Sequence, residues 1–296
     1  MILTSTQLVT LASQWAALSS NQANLASSDF LTIANIITST LTAECLAARE
    51  EYLLYEEKDA VTAGIAQYRI PYRSVNGEIR HLWYEDLEGN RYRLFGMAVE
   101  DIENYQALTT GTPGGFYVMG NTVNLLPTPS TNGNLVFIYP FRPSTLVAQV
   151  GTQAIISTGS TSVTVSNMPV GFTNGALYDI IDHLSGNGIV YYDLVGSISG
   201  TTVSFTQSIP NVAVGNYIAL AQQSPVPMLP EEGHPLLLET LIMRLEMIRG
   251  NTARIKNSSA MVQDARKQWD ALLANRVVSK AHTAGSGGPQ YPVRPY

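Results

Sequence analysis

The sequence is poor in cysteine, in charge and in long apolar runs, and each shortage excludes a class of protein. Cys45 is the single cysteine in 296 residues, so an internal disulfide framework is excluded and synthesis in a reducing cytosol is expected. Charged residues make up 14% of the chain, whereas about a quarter is typical of soluble proteins. No run of about 18 apolar residues occurs, so we expect no membrane span. The first 15 residues lack the basic segment of a secretory signal, and we expect the N-terminus to be mature.

The few charges are unevenly distributed. Residues 1–108 carry 7 basic and 14 acidic groups, and residues 236–296 carry 9 basic and 4 acidic groups. Residues 109–230 carry only four charged side chains, Arg142, Asp179, Asp182 and Asp193. A basic C-terminal region could contact nucleic acid or an acidic protein surface. Because its cations are spread along helical patterns rather than clustered, we favour a protein partner.

Apolar residues recur every three or four positions at both ends of the chain, which predicts amphipathic helices. The first pattern covers Leu8 to Leu18. The second runs from Phe30 to Tyr55 and predicts one helix of roughly 30 residues, about 45 Å long. A third pattern, with Leu237, Leu241, Leu245 and Ile248, ends at Gly250. The last helix is expected from Thr252 to about Arg276, with Ile255, Val262 and Trp269 in one row and Ser258, Ala265 and Leu272 in the next.

The middle of the chain switches to a period of two, which predicts strands. Turns are expected at Asn76-Gly77, at "EGN", at Gly120-Asn121 and at "STNG". A weak repeat follows, in which Thr161 to Ile181 resembles Thr201 to Leu220. Two copies are too few for a solenoid, so a small sandwich or barrel with two similar hairpins is expected.

None of the amphipathic helices can bury its apolar stripe alone, so the first two are expected to pack against the last two. The sequence therefore predicts an α+β fold with a discontinuous helical platform and a β-rich insertion. The predicted units are the platform (1–65 and 231–280), a β-rich hairpin domain (66–143), an inserted β-barrel or sandwich-like domain (144–222), a proline-rich hinge (223–230) and a flexible C-terminal arm (281–296). The hinge prolines are Pro225, Pro227 and Pro230, which hold the backbone extended, and Pro235 in the first helical turn.

The residues that could carry chemistry form no convincing catalytic, metal or cofactor site. His81, His183, His234 and His282 lack metal-ligand spacing. Asp179, Asp182 and His183 form the nearest titratable cluster, and turn capping and surface polarity are the favoured interpretation. The glycine-rich Thr109 to Tyr117 lacks the lysine of a phosphate loop.

The C-terminal segment combines flexible glycine and serine with an aromatic, proline-rich end. "AHTAGSGGPQYPVRPY" ends in residues that a purely solvating tail does not require. We expect an arm that becomes ordered on a partner, and disorder without function is the alternative.

Four stretches resemble the head-to-tail adaptor (connector) proteins of tailed bacteriophages. They are "YRIPYRSVNGEIRHLWYED", "GGFYVMGNTVNLLPTP", "LVFIYPFRPSTL" and "SPVPMLPEEGHPLLLETLIMRLEMIRGN". The resemblance spans most of the chain, although residues 144–222 look like a larger insertion than the simplest members have.

The resemblance implies a structural protein of the phage neck, made in the host cytoplasm. Such proteins form a homo-oligomeric ring, commonly of twelve copies, beneath the portal protein. The ring continues the channel through which double-stranded DNA passes without specific binding, and it presents a docking surface for tail, nozzle or fibre proteins. The resemblance places the portal-binding arm at Arg276, Lys280, Pro289, Tyr291, Pro292, Arg294, Pro295 and Tyr296.

Three alternatives stay open. The chain could be another neck component, such as a fibre-attachment protein. It could be a carbohydrate-binding module that grips host glycan through Tyr191, Tyr192 and Tyr217 of the 144–222 domain. A peptidoglycan hydrolase that uses Glu50 or Glu57 ranks last, because paired glutamates on an exposed helix are usually solvating charges.

Overall fold

The computed structural model describes residues 3–16, 26–48, 53–99, 102, 110–149, 153–182 and 188–274. Within these ranges the protein consists of one helical unit, one curved seven-stranded sheet and one closed barrel.

Four helices from opposite ends of the chain form the helical unit. They are α1 (Ser5–Trp15), α2 (Ser27–Ala48), α3 (His234–Ile248) and α4 (Thr252–Ala274). α3 is the central helix, and it contacts the other three. Leu8 of α1, Ile37 of α2 and Leu241 of α3 share one apolar core with Trp269 of α4. Each such buried side chain contributes about 1.5–3 kcal/mol. The predicted co-folding of the two chain ends is therefore confirmed.

Local interactions fix where α1 begins. Thr4 Oγ1 accepts a hydrogen bond from the Gln7 amide at 3.3 Å, and Gln7 Oε1 accepts one from the Thr4 amide at 2.9 Å. This reciprocal capping box satisfies two amides that the first helical turn leaves free. The Leu3 amide also donates to His234 Nδ1 at 3.0 Å, which ties the start of α1 to the start of α3.

The prediction that the second helix continues to Tyr55 is wrong. α2 ends at Ala48 among the described residues, and β1 (Leu54–Val61) follows. All eight residues of β1 pair with β9 (Gly133–Pro140). The apolar residues around position 55 fit the period of a helix as well as that of a strand. Pairing with β9, some 80 positions away, makes this segment a strand.

α2 is 22 residues long and contains an 18-residue window with a mean hydropathy of 1.4, so it could cross a membrane by length and composition. Of the residues in that window, 44% are buried within the protein. Ala34, Ile37 and Leu41 lie in the core of the helical unit. A helix that packs in a protein core meets the same criteria, so packing accounts for its apolar side.

The seven-stranded sheet has the order β1-β9-β3-β4-β6-β7-β2. Its remaining strands are β2 (Gln67–Arg69), β3 (His81–Glu85), β4 (Arg91–Gly96), β6 (Gly115–Met119) and β7 (Thr122–Leu126). A separate two-stranded ladder joins β5 (Thr110–Gly111) to β8 (Thr128–Pro129). Alternate residues such as Leu82, Leu125 and Phe137 fill the core on one face of the sheet.

Two of the four expected turns join strands that pair with each other, and those at Asn76-Gly77 and "STNG" do not. β3 and β4 are joined across "EGN", and β6 and β7 across Gly120-Asn121. Asn76 and Gly77 instead lie in a short 3-10 turn (Val75–Gly77), with φ values of 57° and 69°. The prediction of a hairpin there is wrong, because β2 before this turn pairs with β7 and β3 after it pairs with β9. The sharp turn was recognised correctly, but long-range pairing selected other partners for its two sides.

The barrel has six strands in the closed order β11-β12-β15-β14-β13-β16. They are β11 (Gln153–Thr158), β12 (Ser162–Val165), β13 (Leu177–Ile181), β14 (Ile189–Ser199), β15 (Thr202–Phe205) and β16 (Tyr217–Leu220). The two halves of the sequence repeat interlock, since β12 pairs with β15 and β13 pairs with β16. The Val165 amide donates to the Thr201 carbonyl, and the Phe205 amide donates to the Thr161 carbonyl. The barrel is therefore pseudo-symmetric.

The barrel is inserted between two short parallel strands, β10 (Thr145–Leu146) and β17 (Gln223–Ser224). After β17 the chain passes through the proline-rich segment 224–230, all of which is buried. Met228 packs in the core of the sheet and Leu229 in the core of the helical unit. The Ser5 amide donates to the Pro225 carbonyl at 2.6 Å. This burial makes the segment a fixed connection between the units and argues against free movement at its prolines.

Candidate functional site

A buried ion pair attaches the barrel to the sheet. Arg73 Nη2 donates to Asp179 Oδ2 at 2.8 Å and to Ser144 Oγ at 3.1 Å. The two charged side chains are 2% and 0% exposed. The Asp179 carboxylate also accepts from the amides of Asp193 at 3.1 Å and Gln222 at 2.9 Å. The Asp179 carboxylate on β13 thus contacts Arg73 beside the sheet, Asp193 of β14 and Gln222, where the chain leaves the barrel.

The backbone is bent to supply those two amides. Asp193 and Gln222 have φ values of 54° and 65°, a left-handed conformation that is uncommon outside glycine. Burial raises the pKa of Asp179 above its ordinary value, although Arg73 and both amides favour the charged form. The arrangement suits a structural bond between units rather than proton transfer.

Aromatic rings form a second layer of the same junction. The Tyr55 ring lies 5.0 Å from the Phe141 ring and 5.0 Å from the ring of Tyr192, which comes from the barrel. Beside them, the Tyr139 hydroxyl donates to Glu57 Oε2 at 2.6 Å. Burial raises the pKa of Glu57, and hydrogen bonds from Tyr139 and Tyr192 offset part of this rise. Burial also raises the pKa of Tyr55 to about 12. We refer to the ion pair and these rings together as the barrel junction.

The interpretation of Asp179 as a turn or surface residue is wrong. Its side chain is fully buried because an arginine from another unit, 106 positions away, balances its charge. Asp182 lies next to the end of β13, and His183 is outside the described residues.

The predicted glycan-binding tyrosines are not brought together as one exposed platform. Tyr192 packs inside the barrel junction. Tyr191 is half-buried opposite Ile180 on β13, and Tyr217 is half-buried opposite Ala154 on β11. Of the proposed hydrolase residues, Glu57 is held in the junction and Glu50 lies outside the described residues.

Of the cysteine and histidines in the described residues, Cys45 and His234 are buried and His81 is half-buried. Cys45 is buried in the helical core, and burial together with the neighbouring Glu44 raises the pKa of its thiol to about 12. His81 lies 3.4 Å from Arg93, and His234 is buried at the start of α3. His282 is outside the described residues. In the described parts of the chain, no group of three or more His, Cys, Asp and Glu side chains could hold a metal ion.

The helical unit has a groove of about 430 Å³ between α1, α3 and α4. It is lined by Trp15, Glu239, Ile242, Glu246, Arg254, Asn257, Ser258 and Met261. Of the four hinge prolines, three lie in the buried connection and Pro235 lies in the first turn of α3. All eight predicted arm residues, Arg276 to Tyr296, lie outside the described residues.

A family model described as the SU10 adaptor protein matches residues 4–187. This match covers more than half of the chain, from α1 to the connection that follows β13. The chain belongs to the SU10 adaptor protein family. It is a bacteriophage head-tail adaptor and a structural component of the virion. The search of curated proteins gave no match.

The match covers parts of all three units of this SU10 adaptor. It includes α1, α2, the seven-stranded sheet and the first half of the barrel repeat. Arg73 and Asp179, which join the sheet to the barrel, both lie within it. The second half of the repeat, α3 and α4 lie beyond the matched range, yet they complete the barrel and the helical core.

Sequence reasoning missed Arg73 as the partner of Asp179. One signal was available, because Asp179 lies in "ALYDII", an apolar strand in which a lone acid requires a buried partner. The sequence also contained a weaker signal for the groove. Glu239 and Glu246 are seven residues apart on α3, so they lie on one side of this helix.

Proposed function

We propose that this SU10 adaptor forms a ring of twelve copies in the phage neck, attached beneath the portal protein. The ring extends the DNA channel and offers a docking surface to tail, nozzle or fibre proteins. The role is structural rather than catalytic. The observation that carries the proposal is the family match over residues 4–187, joined to a helical unit built from both chain ends.

The charge distribution supports passage of DNA without specific binding. Residues 144–222, which include the whole barrel, contain no lysine and no arginine. Nonspecific DNA affinity comes mainly from lysine and arginine contacts with phosphates. A barrel without cations offers DNA no such contact, and the acidic N-terminal part of the chain repels phosphates.

The C-terminal arm is proposed to bind the portal. Residues 275–296 carry Arg276, Lys280 and Arg294 and no acidic residue. An arm of this kind loses entropy when it docks, but repetition around a ring multiplies weak contacts into high avidity. Pro225, Pro227, Pro230 and Pro235 are proposed to hold the connection between the units in place.

Mixing the purified chain with its cognate portal protein tests the proposal. We expect electron micrographs to show a twelvefold ring on the portal, and absence of any ring would refute the ring function. Deletion of residues 281–296 is expected to weaken portal binding at least tenfold by loss of avidity. A Ser286→Ala variant, which changes the arm outside the named residues, serves as the control. Equal portal affinity of the deletion variant would refute the arm assignment alone.

A further inference from the structure

The groove between α1, α3 and α4 combines an apolar rim with a desolvated acidic floor. Trp15 is 52% exposed and Met261 is 54% exposed on its two sides. Glu246 is only 1% exposed. Its Oε1 lies 3.5 Å from Arg254 Nη1, and its Oε2 has no hydrogen-bond partner within the described residues. A buried carboxylate that is only half satisfied costs free energy unless a further donor arrives.

A second carboxylate extends this floor along α3. Glu239 also lines the groove and is 9% exposed, and burial raises its pKa. It lies seven residues before Glu246, which is about 10 Å along the helix. Two poorly solvated acids beside exposed Trp and Met side chains fit a ligand that combines a cation with flat or aromatic groups.

The chain itself contains such a ligand at its C-terminal end. "YPVRPY", residues 291–296, places Arg294 among two tyrosines and two prolines. Its guanidinium can donate to a carboxylate, and its rings can pack on an indole or a thioether. The whole segment 275–296 carries three cations and no acid, which complements the two glutamates.

We propose that this groove is a binding site for residues 291–296 of the same chain, with Arg294 against the Glu239 and Glu246 carboxylates and the tyrosine and proline rings against Trp15 and Met261.

The length of the segment allows it to reach the groove within one molecule. Met261 lies 13 residues before Ala274, the last described residue of α4, which is about 20 Å along the helix. The 20 residues from 275 to 294 span up to about 65 Å when extended. An attached ligand of this length has an effective concentration in the millimolar range, so even weak contacts can keep the groove occupied.

Occupation of the groove has a consequence for assembly that rests on the proposed function. If the arm binds the portal, the portal competes with the groove for the same residues. Before portal binding, the arm then occupies the groove of its own helical unit and is not available for other contacts.

Trp15 provides a direct readout in the full chain. It is one of three tryptophans, and comparison with a Trp15→Phe variant isolates its emission. We expect acrylamide to quench Trp15 weakly in the wild type. Arg294→Gln is expected to raise the fraction of open grooves about tenfold, because a charge-assisted hydrogen bond is lost. Glu239→Gln is also expected to raise the fraction of open grooves, because it removes the carboxylate that Arg294 contacts.

Matched controls separate this contact from general effects on charge or folding. Asp264→Asn alters an exposed acid of the same helical unit outside the groove, and Ser286→Ala alters the arm outside residues 291–296; neither should change the quenching. Arg294 follows the last described residue of α4 by 20 positions in the sequence, so Arg294→Gln remains informative even if a groove variant fails to fold.

Three results would overturn the inference. The first is unchanged quenching of Trp15 in Arg294→Gln. The second is stronger quenching of Trp15 in Arg294→Gln but not in Glu239→Gln. The third is stronger quenching of wild-type Trp15 after tenfold dilution, which would indicate that a second copy occupies the groove. Portal binding is measured separately by electron microscopy, so a failure of the groove inference leaves the ring proposal standing, and the reverse also holds.

Discussion

At position 179 the two halves of the barrel repeat differ in a way that fixes the barrel on the sheet. Asp179 on β13 pairs directly with Ala219 on β16, its counterpart 40 residues later. Only the first half of the repeat therefore offers a carboxylate to Arg73. The pair therefore distinguishes the two halves of the barrel, because the carboxylate would be buried as an unpaired charge without Arg73.

Removal of one partner of this pair should be far more harmful than removal of both. Arg73→Met leaves Asp179 buried without its counter-ion, and we expect a loss of about 3–5 kcal/mol in the free energy of unfolding. Adding Asp179→Leu should restore part of that loss. Urea unfolding of the wild type, both single variants and the double variant measures the coupling.

The exposed pair Lys267–Asp264, 3.1 Å apart on α4, is the control. Its disruption should cost less than about 1 kcal/mol, because water screens it. Additive effects of the two substitutions at positions 73 and 179 would show that the buried pair does not couple the units.

His234 should make stability depend on pH. Burial lowers the pKa of this histidine below its ordinary value near 6.5. The folded state therefore binds fewer protons than the unfolded state, so stability is full above about pH 6.5 and falls as the pH drops towards the lower folded pKa. The slope is at most about 1.4 kcal/mol per pH unit.

His234→Gln is the matched variant, since its Oε1 can still accept from the Leu3 amide. Urea unfolding between about pH 7 and pH 5.5 should show a smaller loss of stability in this variant than in the wild type. Carboxyl groups with raised pKa values, such as that of Glu57, titrate in both proteins and cancel in the difference. Parallel curves for the two proteins would contradict the prediction.

At the scale of elements, the packing of α4 on α3 depends on a glycine. A Cβ atom at Gly233 would lie 2.8 Å from Trp269 Cζ3 and 3.0 Å from Cη2. The missing side chain lets the indole cover the first turn of α3. α4 also buries Leu273 rather than the predicted Leu272, because Leu273 lies one helical turn after Trp269.

Gly233→Ala should push this indole aside and cost about 1–3 kcal/mol by overpacking. Thermal unfolding followed by tryptophan fluorescence would detect both the lower midpoint and the altered surroundings of Trp269. Gly114→Ala is the control, because no heavy atom lies within 4 Å of its added methyl group. Similar stabilities of the two variants would argue against a tight contact between Gly233 and Trp269.

Elements with a long, regular pattern were predictable, whereas elements defined by distant pairing were not. α3 follows its apolar stripe, its early proline and its terminal glycine, all of which are local signals. β1 has eight residues of mixed character, and the sheet alone makes them a strand. The groove forms where α1 meets α3 and α4, which lie more than 200 positions later in the sequence, so no local pattern could reveal it.

At the scale of the whole molecule, the barrel is an insertion whose two roots are held together by β10 and β17. The sheet and the helical unit share the buried connection, and most of their core residues are their own. The barrel contributes at the barrel junction, where Arg73 relies on its carboxylate and where Tyr192 and Ile189 pack against the sheet.

Excision of the barrel should therefore remove or reverse the destabilising effect of Arg73→Met. Replacing residues 149–221 by a flexible linker of about six residues should preserve the helical circular dichroism. In this shortened chain Arg73→Met should be neutral or stabilising, because Arg73 has lost its partner. In the full chain the same change is destabilising. Loss of the helical signal on excision would show that the units fold only together.

Local signals predicted the helices at both ends, the β-rich middle, several turns and a small barrel or sandwich with two similar halves, because periodicity, glycine and proline act over a few residues. Closure of the barrel, the pairing of β1, the partner of Asp179, the burial of Tyr192 and the acidic groove depended on the three-dimensional structure. Each of these depends on residues brought together from distant parts of the chain. Whether a strand pairs or a charge is buried depends on the free energy of contacts that do not exist until the chain has folded.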